Sequence, residues 1–346
     1  MENVKATVCD FDNLYKAMNK CKKGVTWKDS VSRYVNNGLV SVLKLQKSLE
    51  QENYKIDEYY NFTIHEPKKR EIVSTKFKDR VFQRSLCDNY LYHQVVKGFI
   101  YDNGACQINK GTSFARDRLK VLMRRYYRKN GNEGYVLKCD FKDYFGSTPH
   151  TTAKSALQKT VDDKWSLGHA YDIINSYDNG DEIGLGLGSQ ITQLVQLLVL
   201  NDLDHYLKEN LSCKYYLRYM DDLIIIHNDK EYLKKCLKEV DSASQSLGLS
   251  LNRKKTQIFK ISQGINFLGF KFNLSFSGSV YCLLLKENVK KRRRKFYKYK
   301  NLVLEGKMTK EKADECYESW KAHAENGDSY NLISKMNINY KELWES

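Results

Sequence analysis

The sequence lacks the features that mark several protein classes. Its 346 residues include two prolines, Pro67 and Pro149, and contain no Gly/Ser-rich linker or internal repeat. Nine cysteines are scattered without a CxxC pair or a Cys/His ligand spacing, so we expect reduced thiols rather than a disulfide framework or a zinc finger. The longest strongly apolar run, near residues 197–200, is far shorter than the roughly 20 residues of a membrane helix. Residues 1–3 open no signal peptide, so we expect a soluble, cytoplasmic protein with no membrane partner.

Positive charge and aromatic rings are abundant instead. The chain carries 58 Lys and Arg residues against 42 Asp and Glu residues, a formal net charge of +16, together with 25 tyrosines. A basic surface neutralises phosphates, and exposed rings stack on bases. Nucleic acid is therefore the leading partner class. The hydrophobic fraction of 41% is sufficient for a core and excludes a disordered tail.

The hydrophobic pattern predicts both helices and strands. Apolar residues three and four apart over 11–51 predict two helices, and alternation over 59–74 predicts a hairpin with a basic tip. Helices are expected again over 79–92 and 112–129. The middle third, 135–269, alternates strands with helices, and the last sixty residues are charged and mostly helical. This succession favours an α+β fold.

Three aspartates stand where predicted strands end. Two apolar strand halves are broken by Asp221 and Asp222, which places both carboxylates at the tip of a predicted hairpin, and another predicted strand ends at Asp140. An isolated Asp-Asp pair is most often an ordinary acidic turn, because Asp favours turns generally. Here the apolar flanks would bury both arms, and adjacent strands would bring Asp140 close to Asp221.

Carboxylates that converge in this way repel each other unless a cation lies between them. Such a site holds two Mg²⁺ ions about 3.5 to 4 Å apart, which activate a hydroxyl and stabilise leaving pyrophosphate in phosphoryl transfer. Mn²⁺ is an alternative ion. We therefore predict that Asp140, Asp221 and Asp222 are catalytic metal ligands, with Phe141 also at the metal.

These aspartates and several further segments resemble the reverse transcriptase family. Tyr219-Met220-Asp221-Asp222, with Asp140 upstream, resembles the palm of these enzymes. The resemblance covers about residues 60–275. It implies a right-hand polymerase with an N-terminal helical region and fingers over 1–133, a palm with an antiparallel sheet backed by helices over 134–275, and a basic helical thumb over 276–346.

The resemblance also implies roles for single residues. The fingers motifs contribute Lys69 and Arg70 to the incoming nucleotide and Arg80 to nucleic acid, and the glycine-rich turn 186–190 ends in the nucleotide contact Gln190. The remaining implied positions are Lys255 near the pyrophosphate and the nucleic-acid contacts Tyr219, Phe267, Leu268 and Gly269. For the basic turn at Lys69 and Arg70, and for Lys255, a solvated surface position is the alternative.

Phe145 stands five residues after Asp140, where the family places an aromatic steric gate. A ring there would collide with the 2′-hydroxyl of a ribonucleotide and select dNTPs. The alternative is a core phenylalanine after a strand.

Six consecutive basic residues, 290–295, precede aromatic residues near the end of the chain. We expect Arg292, Arg293 and Arg294 to bind nucleic acid in the thumb, and a solvated charged helix is the alternative. With the sequence ending at Ser346, we expect no RNase H or endonuclease domain.

The predicted function is RNA-directed DNA polymerisation with an RNA template, a DNA primer or cDNA duplex, and dNTPs. The Ser189-Gln190 ending resembles diversity-generating retroelement enzymes and bacterial lineages linked to phage defence, which implies a dedicated structured non-coding RNA. An accessory protein or a second copy of the chain is a possible further partner. The alternatives are a catalytically silent RNA-binding protein on the same fold, or template-independent or protein-primed synthesis.

Overall fold

The computed structural model describes residues 3–65, 70–177 and 180–345. Two predicted nucleotide contacts lie outside the described residues, namely Lys69 and the side chain of Arg70. Antiparallel sheets backed by helices confirm the predicted α+β class.

The N-terminal part is mostly helical. It consists of α1 (Val4–Cys9), α2 (Phe11–Cys21), α3 (Asp29–Asn36), α4 (Gly38–Glu50), the hairpin β1 (Tyr60–Ile64) and β2 (Arg70–Ser74), α5 (Phe77–Leu86), a π-helical turn (Cys87–Leu91), α6 (Tyr92–Val96) and α7 (Thr112–Asn130). The hairpin and α7 agree with the sequence pattern. The expectation of two helices over 11–51 is wrong, because the turn at Gly24, where φ is +73°, and the break at Asn37 divide the segment into three.

The middle part interleaves strands and helices. Its elements are β3 (Tyr135–Asp140), α8 (His150–Gln158), α9 (Lys164–Asn175), α10 (Gln190–Val199), α11 (Asn201–His205), a π-helical turn (Tyr206–Asn210), β4 (Tyr216–Tyr219), β5 (Asp222–His227), α12 (Lys230–Ser246) and β6 (Gln257–Lys260). After a 3₁₀ turn (Ile261–Gln263), β7 (Ile265–Phe267), β8 (Phe270–Leu274) and β9 (Val280–Leu284) form a separate antiparallel sheet. The C-terminal helices are α13 (Lys286–Leu304), α14 (Lys310–Ala324) and α15 (Tyr330–Glu345).

The central sheet has the order β4-β5-β3-β6, and each neighbouring pair is antiparallel. Successive side chains of a strand point to opposite faces. Accordingly, Leu137 and Cys139 of β3 join one buried cluster with α12, whereas Val136 joins a second cluster with α7 and the strands β7–β9. The sheet is therefore fixed on both faces, and its strand ends occupy defined positions.

The C-terminal helices pack around an aromatic cluster. The rings of Tyr317 and Tyr340 stack with centroids 4.0 Å apart, and Phe296 and Trp320 pack beside them. Among the described residues, no helix combines the length and the apolar character needed to span a bilayer.

Candidate active site

The β4–β5 hairpin carries Asp221 at its tip and Asp222 at the start of β5. Its arms are buried, with Leu217, Leu223 and Ile225 fully inaccessible to solvent. Between the strands the chain reverses at Met220, whose φ of +54° lies in the left-handed region that β-strands exclude. The buried arms and the tight reversal together leave Asp221 projecting from the end of the sheet.

Asp140 lies beside this tip. Strand β3 pairs with β5, and Asp140 is directly opposite Asp222 in the register. Asp140 and Asp221 line the same cavity, of about 1050 Å³, which we call the carboxylate cavity. The convergence expected from the strand ends is therefore present in the structure.

Lys255 also meets these carboxylates. Its Nζ lies 2.8 and 2.7 Å from the two carboxylate oxygens of Asp140. The loop is held in place because the amide of Asn252 donates to the Asp140 carbonyl at 2.7 Å, and the hydroxyl of Thr256 accepts from the Asp140 amide at 3.4 Å. The structure thus brings together two sites that are 115 residues apart in the chain.

Burial and like charge make the site electrostatically unfavourable for anions. Burial raises the pKa of Asp221 above its ordinary value, and the carboxylates of Asp222 and Asp140 raise it further. Burial also raises the pKa of Asp222, although Lys138 opposes part of that rise. A cation in the carboxylate cavity would lower both pKa values, because an opposite charge favours the ionised form.

Lys138 is a member of the site that the sequence analysis missed. Its Nζ lies 3.2 Å from Asp222 Oδ1 and donates a hydrogen bond to the Asn266 carbonyl at 2.9 Å. The sequence does hold a clue to this role. Lys138 lies two residues before Asp140 on the same strand, and residues i and i+2 of a strand lie on the same face. Lys138 thus connects a tip carboxylate with β7.

The residues fit a divalent cation in part. Carboxylate oxygens are the ligands that Mg²⁺ prefers, and Asp140 and Asp221 present theirs to the carboxylate cavity, whereas the buried Asp222 Oδ1 already faces the Lys138 ammonium at 3.2 Å. However, no group of three acidic, His or Cys side chains within 3–65, 70–177 and 180–345 converges closely enough to hold a metal. The predicted set of three is instead a pair, Asp140 and Asp221, facing the cavity with Asp222 beside it. The ring of Phe141 carries no ligand atom, so only its main-chain carbonyl could contribute one.

Phe145 lies in the wall of the carboxylate cavity and is half-buried. Its carbonyl accepts from the Leu185 amide at 2.8 Å, which ties it to the glycine-rich turn. That turn passes close to its neighbours. A Cβ at Gly186 would lie 1.7 Å from the Tyr177 ring, and one at Gly188 would lie 2.7 Å from the Val73 carbonyl of β2. The turn therefore packs directly against the β1–β2 hairpin.

The structure separates Gln190 from the carboxylates. Gln190 begins α10, where the Ser189 hydroxyl caps the helix by accepting from the amides of Ile191 and Thr192. Gln190 and Arg80 line a second cavity of about 690 Å³, which we call the basic cavity. Its other basic members are Lys20, Lys23, Arg84 and His93.

The predicted nucleic-acid contacts around the β7–β8 turn differ in accessibility. Phe267 is 1% exposed and packs against Tyr219, so its side chain is not available to nucleic acid, contrary to the prediction. Leu268 and Gly269 form the turn between β7 and β8, with φ values of +46° and +87°. Tyr219 itself is half-buried. Any contact of this region with nucleic acid would therefore come from the Leu268–Gly269 turn rather than from the Phe267 side chain.

The three predicted arginines of α13 do not form one track. Consecutive helical residues project about 100° apart, so a run of six surrounds the axis. Arg292 is half-buried and lies close enough to His323 to help lower its pKa, after burial and Arg116. Arg293 is exposed, and its Nε lies 3.2 Å from the Met336 sulfur of α15. Arg294 is exposed and does not line the carboxylate cavity.

Residues 65–272 match the sequence profile of the family described as reverse transcriptase (RNA-dependent DNA polymerase). The matched segment is more than half of the 346 residues and contains all three aspartates and Lys255. No curated protein matches the sequence.

Solved telomerase structures are similar in fold. An apo telomerase from Candida Tropicalis, truncated from its C-terminal domain, is 14% identical with a TM-score of 0.48, over 64% of this chain and 54% of that chain. The telomerase from Candida albicans, in complex with the TWJ fragment of telomeric RNA, is 10% identical with a TM-score of 0.50, over 76% of this chain and 55% of that chain. This chain thus spans about half the length of the telomerase chains, and at 10% identity the Candida albicans match shows likeness of fold alone.

Proposed function

We propose that this chain, which belongs to the reverse transcriptase family, is an RNA-directed DNA polymerase that extends a primer along an RNA template. The observation that carries the proposal is the meeting of Asp140 and Asp221 on one cavity inside the matched segment. Nucleotidyl transfer requires positioned charge rather than covalent machinery, and the buried Asp140 and the half-buried Asp221 supply the positions. We extend the proposal to fingers, palm and thumb over 1–133, 134–275 and 276–346.

We propose that Asp140 and Asp221 hold divalent cations, Mg²⁺ first and Mn²⁺ as a substitute, with Asp222 and the main chain of Phe141 beside them. The ions would supply activation of the primer hydroxyl and neutralisation of the leaving pyrophosphate. The chain's own contribution is rigidity, because the paired strands β3 and β5 keep mutually repelling carboxylates together.

Lys255 supplies a proton in this proposal. Its ammonium group lies in the carboxylate cavity, paired with Asp140. A lysine ammonium is a strong hydrogen-bond donor with a transferable proton, and transfer from Nζ to a pyrophosphate oxygen would stabilise the leaving group. Lys255→Arg, which keeps the charge but cannot give up a proton, should therefore slow the chemical step.

Sugar selection is assigned to Phe145. Its half-buried ring lies in the same cavity as Asp140 and Asp221, which supports contact with the sugar of an incoming nucleotide. The substrates are accordingly dNTPs, and we propose that Lys69 and Arg70 bind their phosphates.

The nucleic-acid partners are an RNA template and a DNA primer or cDNA duplex. Arg80 and Gln190 face the basic cavity, which supports a template contact for both rather than a nucleotide contact for Gln190. The Leu268–Gly269 turn, Tyr219 and Arg292 are the proposed primer-side contacts.

The test is primer extension by the purified 346-residue chain with a primed RNA template, dNTPs and Mg²⁺ or Mn²⁺. The proposal predicts a product complementary to the RNA. A product made without template would indicate template-independent synthesis, and DNA attached covalently to the chain would indicate protein priming. Tight binding of the primed RNA with no product under any of these conditions would favour the silent RNA-binding alternative.

We further propose a dedicated structured non-coding RNA as template, serving sequence diversification or antiphage defence. The +16 charge and the Ser189-Gln190 turn support this assignment. Sequencing the nucleic acid that co-purifies with the chain should recover one dominant RNA. A mixture that mirrors total cellular RNA would contradict it.

A further inference from the structure

A buried ion pair lies directly behind the tip of the β4–β5 hairpin. Arg218 and Asp204 are both fully inaccessible to solvent. The Nε of Arg218 lies 2.7 and 3.0 Å from the two oxygens of Asp204, and its Nη2 lies 2.6 Å from Oδ2. The Tyr216 hydroxyl donates to the same carboxylate. Both oxygens of Asp204 therefore accept hydrogen bonds, and these bonds fix the ion pair in one geometry.

The remaining donors of Arg218 reach two main-chain carbonyls. Nη1 donates to Met220 at 3.1 Å, and Nη2 donates to Leu197 at 2.9 Å. Met220 is the residue with φ of +54° that precedes Asp221. The planar guanidinium thus connects the hairpin tip with α10 and α11, which carry Leu197 and Asp204.

A contribution to folding stability does not explain why the Arg218–Asp204 ion pair is buried here. Desolvating two charges costs about as much as their attraction returns, and apolar residues of similar volume often replace a buried ion pair without loss. What an apolar residue cannot replace is the hydrogen bond to the Met220 carbonyl. Without it, repulsion among Asp140, Asp221 and Asp222 would favour movement of the tip away from β3.

We propose that Arg218, oriented by Asp204, is a positioning residue that holds the Met220–Asp221 tip against β3 and so fixes the distance between the carboxylates of Asp221 and Asp140. Arg218 does not touch the carboxylate cavity, and its effect passes through the tip carbonyl. The inference rests on the proposed function, since it concerns the same pair of carboxylates. It predicts that cation binding depends on Arg218, although Arg218 is not itself a ligand of the cation.

The main test removes the pair without leaving a buried charge. In the triple variant Asp204→Leu/Tyr216→Phe/Arg218→Met, the apolar replacements keep the core filled while the bond to Met220 is lost. We expect the variant to fold and to need at least about tenfold more Mn²⁺ for half-maximal primer extension, because misplacement of a ligand by about 1 Å weakens catalysis by up to a hundredfold. Unchanged Mn²⁺ dependence and rate would overturn the proposal.

Two single variants serve as the second test and the control. Arg218→Lys keeps the charge beside Asp204, but an ammonium lacks the fork that reaches Met220 as well, so its Mn²⁺ dependence should also shift. Asp241→Asn breaks an ion pair on α12, outside this network, and should leave the Mn²⁺ dependence unchanged. If the triple variant fails to fold, Arg218→Lys decides: a wild-type Mn²⁺ dependence in that variant would overturn the inference.

A readout that does not require activity separates this inference from the proposed function. Binding of Mn²⁺ to the folded chain should raise its melting temperature as the ion is titrated. A wild-type chain that extends no primer, but whose Mn²⁺-induced rise is lost in Arg218→Lys, would end the proposed function and keep the inference. A wild-type chain that extends primers, with the same rise in both proteins, would do the reverse.

Discussion

At the residue scale, the Asp221 carboxylate lowers the stability of the folded chain when it is in the charged form that binds cations. Burial and neighbouring carboxylates raise its pKa in the folded chain, so the folded state binds this proton more tightly than the unfolded state does. The stability that the protonated Asp221 gives the folded chain is present below the ordinary aspartate pKa of about 3.9. It is lost as the pH rises through the higher pKa that Asp221 has in the folded state. At neutral pH the charged group therefore destabilises the fold.

The variant Asp221→Asn should melt at a temperature higher than wild type by roughly 2 °C or more at pH 7.5 in EDTA, because it removes this charge. The difference should disappear as the pH falls below about 4, where the wild-type carboxyl is protonated in both states. Thermal melts over this pH range measure it. Asp241→Asn, at an ion pair on α12, is the control and should show no such gain. A lower melting temperature for Asp221→Asn at pH 7.5 would contradict the electrostatic account.

Phe145 provides a second prediction at this scale. Phe145→Ala should raise the efficiency of ribonucleotide relative to deoxynucleotide incorporation by at least about tenfold, because it opens the cavity wall where a 2′-hydroxyl would lie. The measurement is kcat/KM for both nucleotides on one template. Phe276→Ala, at a ring that is 91% exposed and outside the cavity, is the matched control. An unchanged ratio would return Phe145 to a purely structural role.

The sequence predicts residues at strand ends better than residues that act from the core. Asp140 and Asp221 were predictable because apolar strands end at them and polar strand ends share an edge of the sheet. Lys138 was recoverable only through strand periodicity. Arg218 gave no signal, because a lysine or arginine within an apolar strand is usually assigned to the surface. Its burial depends on Asp204, and no local pattern indicates that partner.

At the element scale, helix geometry alters the predicted role of α13. Arg292 lies close to His323 of α14, whereas Arg293 contacts Met336 of α15. Arg292→Gln should weaken binding of primed template and flatten the slope of log affinity against log salt by roughly 0.7 to 0.9, the loss of one phosphate contact. Fluorescence anisotropy at several salt concentrations measures the slope.

The control for that change is Arg293→Gln on the same helix. It removes the same charge from the other side and should leave the salt slope near the wild-type value. Equal slopes for both variants and wild type would mean that α13 does not contact the duplex through Arg292. Greater flattening by Arg293→Gln would reverse the assigned face.

Element boundaries followed from sequence only where one pattern dominated. The predicted helix over 112–129 and the hairpin over 59–74 agree with the structure, because each has a single periodicity bounded by turn residues. The segment 11–51 has the helical period throughout, but a left-handed glycine at Gly24 divides it. The helix predicted over 79–92 continues through a π-helical turn to Val96, which the apolar spacing does not reveal.

At the scale of the whole molecule, cation binding should couple to global stability. A divalent ion between Asp140 and Asp221 relieves the repulsion that the folded chain carries. Titration with Mn²⁺ should therefore raise the melting temperature of wild type, whereas Asp140→Asn and Asp221→Asn should lose most of the rise. Asp241→Asn should respond as wild type does. A rise of equal size in all four proteins would place the ion elsewhere.

The central claim is that the Asp221 carboxylate is required for nucleotidyl transfer on an RNA template. Single-turnover extension of a primed RNA with dNTPs and Mg²⁺ tests it most directly, comparing wild type with Asp221→Asn and the control Asp241→Asn. Loss of one ligand for a catalytic cation costs several kcal/mol, so the account predicts a rate about a thousandfold lower for Asp221→Asn, with template binding retained and Asp241→Asn at the wild-type rate. A rate for Asp221→Asn within a few-fold of wild type would contradict the account.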